Sequence, residues 1–391
     1  MCVIMKNIGI YIHIPFCKSK CYYCDFVSYC NEEKNIDLYI KCMEKEIEFK
    51  SKELVKFALN NNEQFEIDTI YIGGGTPSFI DSKYISELIK AVKKSFKLTK
   101  DCEITIEVNP DSALIGKLKE YKNLGINRIS IGLQSSNDNL LKEIGRVHNF
   151  EQFKEAFGNI QELKFDNINV DLMISLPNQK FKDVKTSLEE VISLNPTHIS
   201  VYSLILEDGT KLFKDVESGA KKMLSENLER KMYWYVKNTL EKNNYIQYEI
   251  SNYAKQNRES KHNLNCWNQN EYLGVGIAAH SFFNNIRFSN TSDLNKYLKN
   301  IQKEEYLKNQ EILEILSIEE KQKEYMILGL RKIEGVQIKS FKEKFGENPI
   351  FIFKNQINKL VNENLIEIDG DSIRLTNKGL DFANIVWEEF V

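Results

Sequence analysis

No apolar stretch of this 391-residue chain approaches the ~18–20 residues that a membrane-spanning helix needs, so no membrane span is expected. The first residues, MCVIMKNIGIYIHI, carry one lysine and a short apolar run but no small-residue cleavage site. They do not read as a leader, and the expected location is cytoplasmic. Surplus charge is also lacking: 53 basic against 56 acidic residues leave −3, without the positive footprint of a general nucleic-acid binder. Eight cysteines are too few for a disulfide scaffold, and a reducing compartment would keep them as thiols. Internal repeats and low-complexity tracts are missing as well. With 42% hydrophobic and 28% charged residues, the chain has the composition of a packed globular protein, long enough for one large domain and a smaller one.

What is present alternates. Short β-branched or aromatic runs, IGIYIHI (8–14), DTIYIGG (68–74), EITIEVN (103–109), RISIGLQ (128–134), NINVDLMI (167–174) and HISVYSLIL (198–206), predict strands. Helical patterns near 35–58, 82–97, 112–124, 150–163 and 181–194 separate them. This is the signature of βαβ units and a parallel sheet, in an α/β fold that is either doubly wound or an incomplete barrel. Both architectures bind ligands at the carboxyl ends of their strands. A further helix is expected near 225–243, followed by a polar loop over 256–270. From about residue 310, helices near 318–331, 338–345 and 349–364 precede LIEIDGDSIRLT, a short hairpin with a DGD turn. That order suggests a winged-helix-like module. With 11 basic and 15 acidic residues over 311–391, it is expected to pack or contact a partner rather than read DNA.

The cysteines are unevenly placed. Cys17, Cys21 and Cys24 form C-x3-C-x2-C directly after the first strand, and such soft thiolates select zinc, copper(I) or iron–sulfur clusters. Structural zinc wants a fourth Cys or His and usually two separated pairs, and no second C-x2-C exists. Two readings stay open. Either a fourth thiolate such as Cys30 closes an electron-carrying cluster, or one iron is left free to bind a small molecule.

The stretch YIHIPFCKSKCYYCDF resembles the cluster motif of radical S-adenosylmethionine (SAM) proteins, and its H-I-P-F-C lead-in resembles that of oxygen-independent coproporphyrinogen dehydrogenases and their haem chaperone relatives. The resemblance runs over nearly the whole chain. It implies an incomplete (β/α)6 barrel over 1–305, a C-terminal winged-helix-like domain over 306–391, and a [4Fe-4S] cluster on Cys17, Cys21 and Cys24 whose open iron is chelated by SAM. It further implies cofactor contacts at Gly74, Gly75 and Thr76 of YIGGGTPSF, at Glu107 of ITIEVNP, and at Tyr11, Gln134, Arg146 and Asp171. On physical grounds Glu107 and Asp171 already stand out, because a carboxylate within an apolar strand needs a specific partner.

Two departures from the dehydrogenases bear on activity. The motif continues Cys24-Asp25-Phe26, where those enzymes typically place another cysteine, and the first strand begins near residue 8, leaving no room for their N-terminal extension. His262-Asn263-Leu264-Asn265-Cys266-Trp267 resembles the H-N-x-x-Y-W haem motif of the chaperone branch, with cysteine in place of tyrosine. An imidazole is a plausible axial donor to haem iron and an indole a flat apolar face. His262, Cys266 and Trp267, with His280 of GVGIAAHSF, are therefore the expected haem-binding residues. The expected function is that of a haem chaperone binding [4Fe-4S], SAM and haem. Its expected partners are haem-accepting proteins and an electron donor such as a flavodoxin or ferredoxin, and a homodimer is compatible with it. Coproporphyrinogen dehydrogenase and iron–sulfur electron carrier are the alternatives.

Overall fold

The computed structural model describes residues 4–391. Six parallel strands, β1 (Ile4–Ile14), β2 (Glu63–Gly74), β3 (Leu98–Val108), β4 (Arg128–Gln134), β5 (Ile168–Ile174) and β6 (His198–Ser203), lie side by side in chain order. Their crossovers are α1 (Ile36–Asn61), α2 (Ser82–Ser95), α3 (Ile115–Asn123), α4 (Asp138–Glu143) with α5 (Phe150–Glu162), and α6 (Phe181–Leu194). The period-2 pattern of β1 shows why a strand forms here: Ile8, Ile10, Ile12 and Ile14 share one face and are buried against the helices. Gly9, Tyr11 and His13 share the other face, which lines the interior. Because β1 and β6 do not pair with each other, the barrel stays open.

Beyond β6 the sheet continues on both edges. After α7 (Lys211–Glu217) and α8 (Glu226–Lys242), the hairpin of β7 (Ile246–Glu249) and β8 (Asn252–Ala254) pairs antiparallel to β6. On the other side, β9 (Tyr272–Val275) runs parallel to β1, and β10 (His280–Phe283), β11 (Ile286–Asn290) and β12 (Gln310–Ile315) extend the edge antiparallel. A buried polar knot pins this extension to α1. The Glu46 carboxylate accepts from Tyr297 Oη (2.6 Å), Asn290 Nδ2 (2.7 Å), the Gly276 N–H (2.9 Å) and Lys50 Nζ (3.1 Å). The Lys50 ammonium also donates to the Gly274 carbonyl.

The polar segment expected as a loop over 256–270 contains a helix, α9 (Lys261–Trp267), whose N-terminus is capped by the Ser260 hydroxyl accepting from the Asn263 N–H. α10 (Leu294–Gln302) connects β11 to β12, and the expected division at 305/306 therefore precedes the last strand of the large sheet. A second core begins with α11 (Ile318–Gly329) and holds Met326, Leu330, Phe341, Phe353, Leu360 and Ile373. Around it lie β13 (Val336–Gln337), α12 (Ile338–Phe345), α13 (Pro349–Ile352), α14 (Lys354–Asn362), β14 (Ile366–Asp369) and β15 (Ser372–Leu375), in sheet order β13-β15-β14. The helix expected over 349–364 is two helices, because the chain bends at Phe353 (φ −105°, ψ 32°) to put that ring into the second core. No helix among the described residues is long and apolar enough to cross a membrane.

Candidate functional site

A cavity of 390 Å³ opens at the carboxyl ends of the six parallel strands, and Cys17, Cys21 and Cys24 line it together. The loop that carries them is pinned at its base. Tyr29 N–H donates to the Pro15 carbonyl (2.6 Å) and Cys17 N–H to the Tyr29 carbonyl (2.9 Å), while His13 Nε2 bonds the Val27 carbonyl at 2.8 Å. A turn from Cys24 N–H to the Cys21 carbonyl (3.2 Å) draws the last two cysteines together. Cys30 does not line the cavity.

The strand after the loop is shaped to it. Gly75 donates its N–H to the Ile14 carbonyl (2.8 Å), and a Cβ there would stand 2.9 Å from the Cys17 sulfur and 3.0 Å from that carbonyl oxygen. Gly74 holds φ +112°, and its Cβ would meet the His13 ring at 2.7 Å. Thr76 Oγ1 lies 3.4 Å from Cys17 Sγ.

Burial pushes the Cys17 thiol up and that of Cys24 up to about 11. One guanidinium reaches the cysteine loop. Arg146 directs Nη1 at Cys21 Sγ (3.7 Å) and is held by Nη2 to Asn109 Oδ1 (2.9 Å) and the Gly132 carbonyl (2.8 Å); its buried Nε has no partner. Among the described residues no three His, Cys, Asp or Glu side chains converge on a single ion. Three thiols around an open cavity fit a polynuclear cluster instead, in which each thiolate takes a different iron.

Away from the cysteines, the lining carries two buried carboxylates, Glu107 and Asp171, opposite the cations Arg128 and Arg146. The Glu107 carboxylate accepts from Tyr71 Oη (2.7 Å) and the Gly74 N–H (3.2 Å), and burial, with Asp171 as a second charge, pushes it up to about 7. Asp171 accepts from Asn169 Nδ2 (2.7 Å) and Ser130 Oγ (3.2 Å), and burial raises its pKa as well. Gln134 ends β4 at φ +72° and lines the same cavity. Gly74, Gly75, Thr76, Glu107, Gln134, Arg146 and Asp171 are thus brought together with the three cysteines.

Arg128 was missed by sequence reasoning. It is 2% exposed, lines the cavity, and has no partner for its Nε. The signal was available, since its charge heads the apolar run RISIGL much as Asp171 sits within INVDLMI.

Tyr11 lies elsewhere. It lines a second cavity of 430 Å³ with His13, Asp25, Phe26, His262, Cys266, Tyr272 and His280, and its hydroxyl is 3.0 Å from His13 Nδ1. Phe26 lines both cavities and forms a shared wall. Helix α9 reaches this region by anchoring to residues midway along β2 and β3. The N–H groups of Lys261 and His262 donate to the Glu103 carboxylate (3.2 Å each), and Asn265 Nδ2 donates to Asp68. His262 then sits inside the sheet, Nδ1 2.9 Å from Thr69 Oγ1 and the ring stacked on Tyr71 with 5.2 Å between centroids. Burial, reinforced by Arg128, pushes its imidazole down to about 4.

Burial pushes the Cys266 thiol up to about 11, and His280 is exposed at the same cavity. Trp267 is not brought to it. Its indole faces Arg331 of the C-terminal module, with the guanidinium 4.4 Å from the ring centroid, because the C-terminal end of α9 packs on that module. An imidazole, a thiol and the aromatic faces of Phe26, Tyr11 and Tyr272 suit a flat, apolar, iron-bearing ligand.

Residues 11–191 match the model of the radical SAM superfamily, and residues 316–382 that of the HemN C-terminal domain. The chain is 36% identical over 389 residues to the heme chaperone HemW of Lactococcus lactis, covering 100% of this chain and 98% of that relative. It is 35% identical to the heme chaperone HemW of Bacillus subtilis, covering 97% of this chain and 98% of that relative. Among solved structures, the coproporphyrinogen III oxidase HemN of Escherichia coli, a radical SAM enzyme, superposes with a TM-score of 0.83 at 20% identity. That likeness spans 98% of this chain and 90% of HemN, and it bears on the fold alone.

Proposed function

The chain belongs to the heme chaperone HemW family of the radical SAM superfamily, and on that premise we propose that it binds haem beside a cluster-and-cofactor site and hands the haem to acceptor proteins. Cys17, Cys21 and Cys24 would hold a [4Fe-4S] cluster, and Tyr11, Gly74, Gly75, Thr76, Glu107, Gln134, Arg146 and Asp171 are the residues assigned to SAM. The bound cluster supplies an open iron and a low-potential electron. Around it Arg146 would donate to the Cys21 sulfur, the glycine edge leaves space beside Cys17, and Glu107 would accept hydrogen bonds from a donor on the cofactor. His262, Cys266, Trp267 and His280 are assigned to haem, with Trp267 acting through the packing of α9 rather than at the cavity.

One observation carries the reading: the cavity of the three cysteines and the cavity of His262, Cys266 and His280 share the wall residue Phe26. A bound cluster and a bound haem would thus be neighbours. Phe26 stands in the place where the dehydrogenase pattern continues with a cysteine-bearing segment, which favours haem handling over porphyrinogen oxidation. In this reading residues 1–305 carry both cavities and residues 306–391 grip α9. Cytoplasmic location, a flavodoxin- or ferredoxin-like electron donor and a homodimer belong to the same proposal.

The test is a haem titration of the anaerobically reconstituted full chain, followed by the Soret band, with a parallel assay of coproporphyrinogen III decarboxylation. A saturable Soret change without decarboxylation is expected. Catalytic decarboxylation, or an unchanged Soret region, would sink the chaperone reading.

A further inference from the structure

Strand β12 ends the twelve-stranded sheet, pairing with β11 on one side and with no other segment of the described residues on the other. Every residue from Glu311 to Ile315 is exposed, so no helix or loop covers that free edge. Its outward backbone N–H and C=O groups are a template for one more strand. Soluble proteins usually blunt such an edge, yet this one carries Ile312, Leu313 and Ile315 at 62%, 48% and 67% exposure.

The two faces of β12 differ. A bulge opposite the Arg287–Phe288 step puts Ile315 and Ile312 across from Ile286 and Phe288, and Glu314 and Glu311 across from Arg287 and Ser289. Residues two apart on β11 share a face, so the isoleucines lie on one side of the edge and the two carboxylates on the other. Arg287 is drawn away from Glu314, because its guanidinium is paired with Glu324 of α11. Glu311 and Glu314 have no ion pair among the described residues.

These charges choose among occupants. A second copy pairing antiparallel would set acidic face beside acidic face, and like charges across a strand pair destabilise it. An extended segment alternating Lys or Arg with β-branched residues would instead match both faces and satisfy the free backbone groups. A strand added there lies three strand spacings, about 14 Å, from β10, where His280 lines the second cavity.

We propose that the outer edge of β12 docks the haem-accepting protein, by taking a basic, β-branched extended segment of that partner into the sheet. The nature of the partner rests on the chaperone reading above, and the docking itself does not.

The full chain is titrated with a fluorescein-labelled peptide, Thr-Lys-Val-Lys-Val-Lys-Thr, read by anisotropy, with hydrogen exchange locating the site. Saturable binding that protects the amides of 311–315 is expected. The double variant Glu311→Lys/Glu314→Lys, altered only at exposed positions, should bind this peptide about tenfold more weakly and should now take a peptide with Glu in place of each Lys. Haem is then followed by its Soret band from the loaded chain to apomyoglobin, with and without the Lys peptide fused to its N-terminus. The fusion should receive haem several-fold faster, and the double variant should erase that gain while binding haem as the parent does. Equal affinity of the parent for the Lys and Glu peptides, or none for either, overturns the docking site. Protection of 311–315 that grows with the concentration of the chain alone, together with a dimer in sedimentation, overturns it in favour of a second copy. Peptide binding without faster transfer overturns the haem acceptor as the partner. An unchanged Soret region in the parent overturns the chaperone reading instead, a result separate from peptide binding.

Discussion

The Tyr71 hydroxyl donates to the Glu107 carboxylate at 2.7 Å, while the opposite end of its contacts is the His262 ring stacked at 5.2 Å. One tyrosine thus touches the acid of the cysteine-lined cavity and the first residue of the H-N-x-x-C-W segment. Burial pushes Glu107 up to about 7, and the bonds from Tyr71 and Gly74 oppose that shift. Because the folded chain holds this proton more tightly than the unfolded chain, the contribution of Glu107 to stability is full at acid pH and is lost as pH rises through about 7. With Glu107 as the proposed SAM contact, binding through the carboxylate should have the opposite trend, strengthening as pH rises through about 7 and levelling above it. Calorimetric SAM titrations across this range should show that rise, and Glu107→Gln should flatten it. Tyr71→Phe should move the rise to higher pH and weaken binding roughly tenfold to a hundredfold, the weight of one hydrogen bond to a charged group.

The cysteine count gives a second prediction. Cys30 has a raised pKa from partial burial but does not line the cavity shared by Cys17, Cys21 and Cys24. Cys30→Ser should therefore leave iron and sulfide content after anaerobic reconstitution unchanged, and reduced Cys30→Ser should still change its EPR spectrum on adding SAM. Serine at 17, 21 or 24 should abolish cluster assembly. Loss of the cluster in Cys30→Ser would return the chain to the four-thiolate electron-carrier reading.

Much of this architecture was legible because it is written in local periodicity. Ile8 to Ile14 alternate with interior residues, and the crossover helices bury one stripe each, so strands, helices and the functional ends of the strands could be read from the order of residues. α9 could not, because KHNLNCW has no apolar stripe of its own. Its helix is held by distant groups, the Glu103 carboxylate at its N-terminus, the Asp68 carboxylate on Asn265 and Arg331 at its C-terminal end. The same reason explains Trp267, whose chemistry suits a porphyrin but whose helix turns it toward the C-terminal module. Tyr11 could be placed on the interior face of β1 from alternation alone, yet which of two adjoining cavities it lines depends on the His13–Val27 tether that folds the cluster loop between them.

Gly75 supplies a third prediction, one of shape. Its missing Cβ keeps 2.9 Å open toward the Cys17 sulfur. Gly75→Ala forces either the thiol or the Ile14 carbonyl to move, at a cost of about 1–3 kcal/mol of the overpacking kind. Thermal unfolding should report that loss, and iron content per chain should fall if the displaced thiol holds the cluster as proposed. Gly116→Ala is the control, since nothing lies within 4 Å of a Cβ at that exposed helical position.

The last prediction concerns the hold of the C-terminal module on α9. The Arg331 guanidinium lies between two indoles, 4.4 Å from the Trp267 centroid and 5.0 Å from that of Trp387, and its remaining charge faces the buried Glu249 carboxylate at 4.0 Å. Burial lowers the Arg331 pKa and raises that of Glu249, so each depends on the other for its charge. Two partly desolvated cation–π contacts are each worth about 0.5–2 kcal/mol. Arg331→Met keeps the length and apolar stem but removes the charge, and should destabilise the chain by about 1–3 kcal/mol in denaturant titrations. Hydrogen exchange separates this from a general loss of stability. If the module positions the haem-motif helix, amides of 261–267 should lose protection in Arg331→Met while those of β2 and β3 keep theirs. Uniform loss across the sheet would assign Arg331 to stability alone.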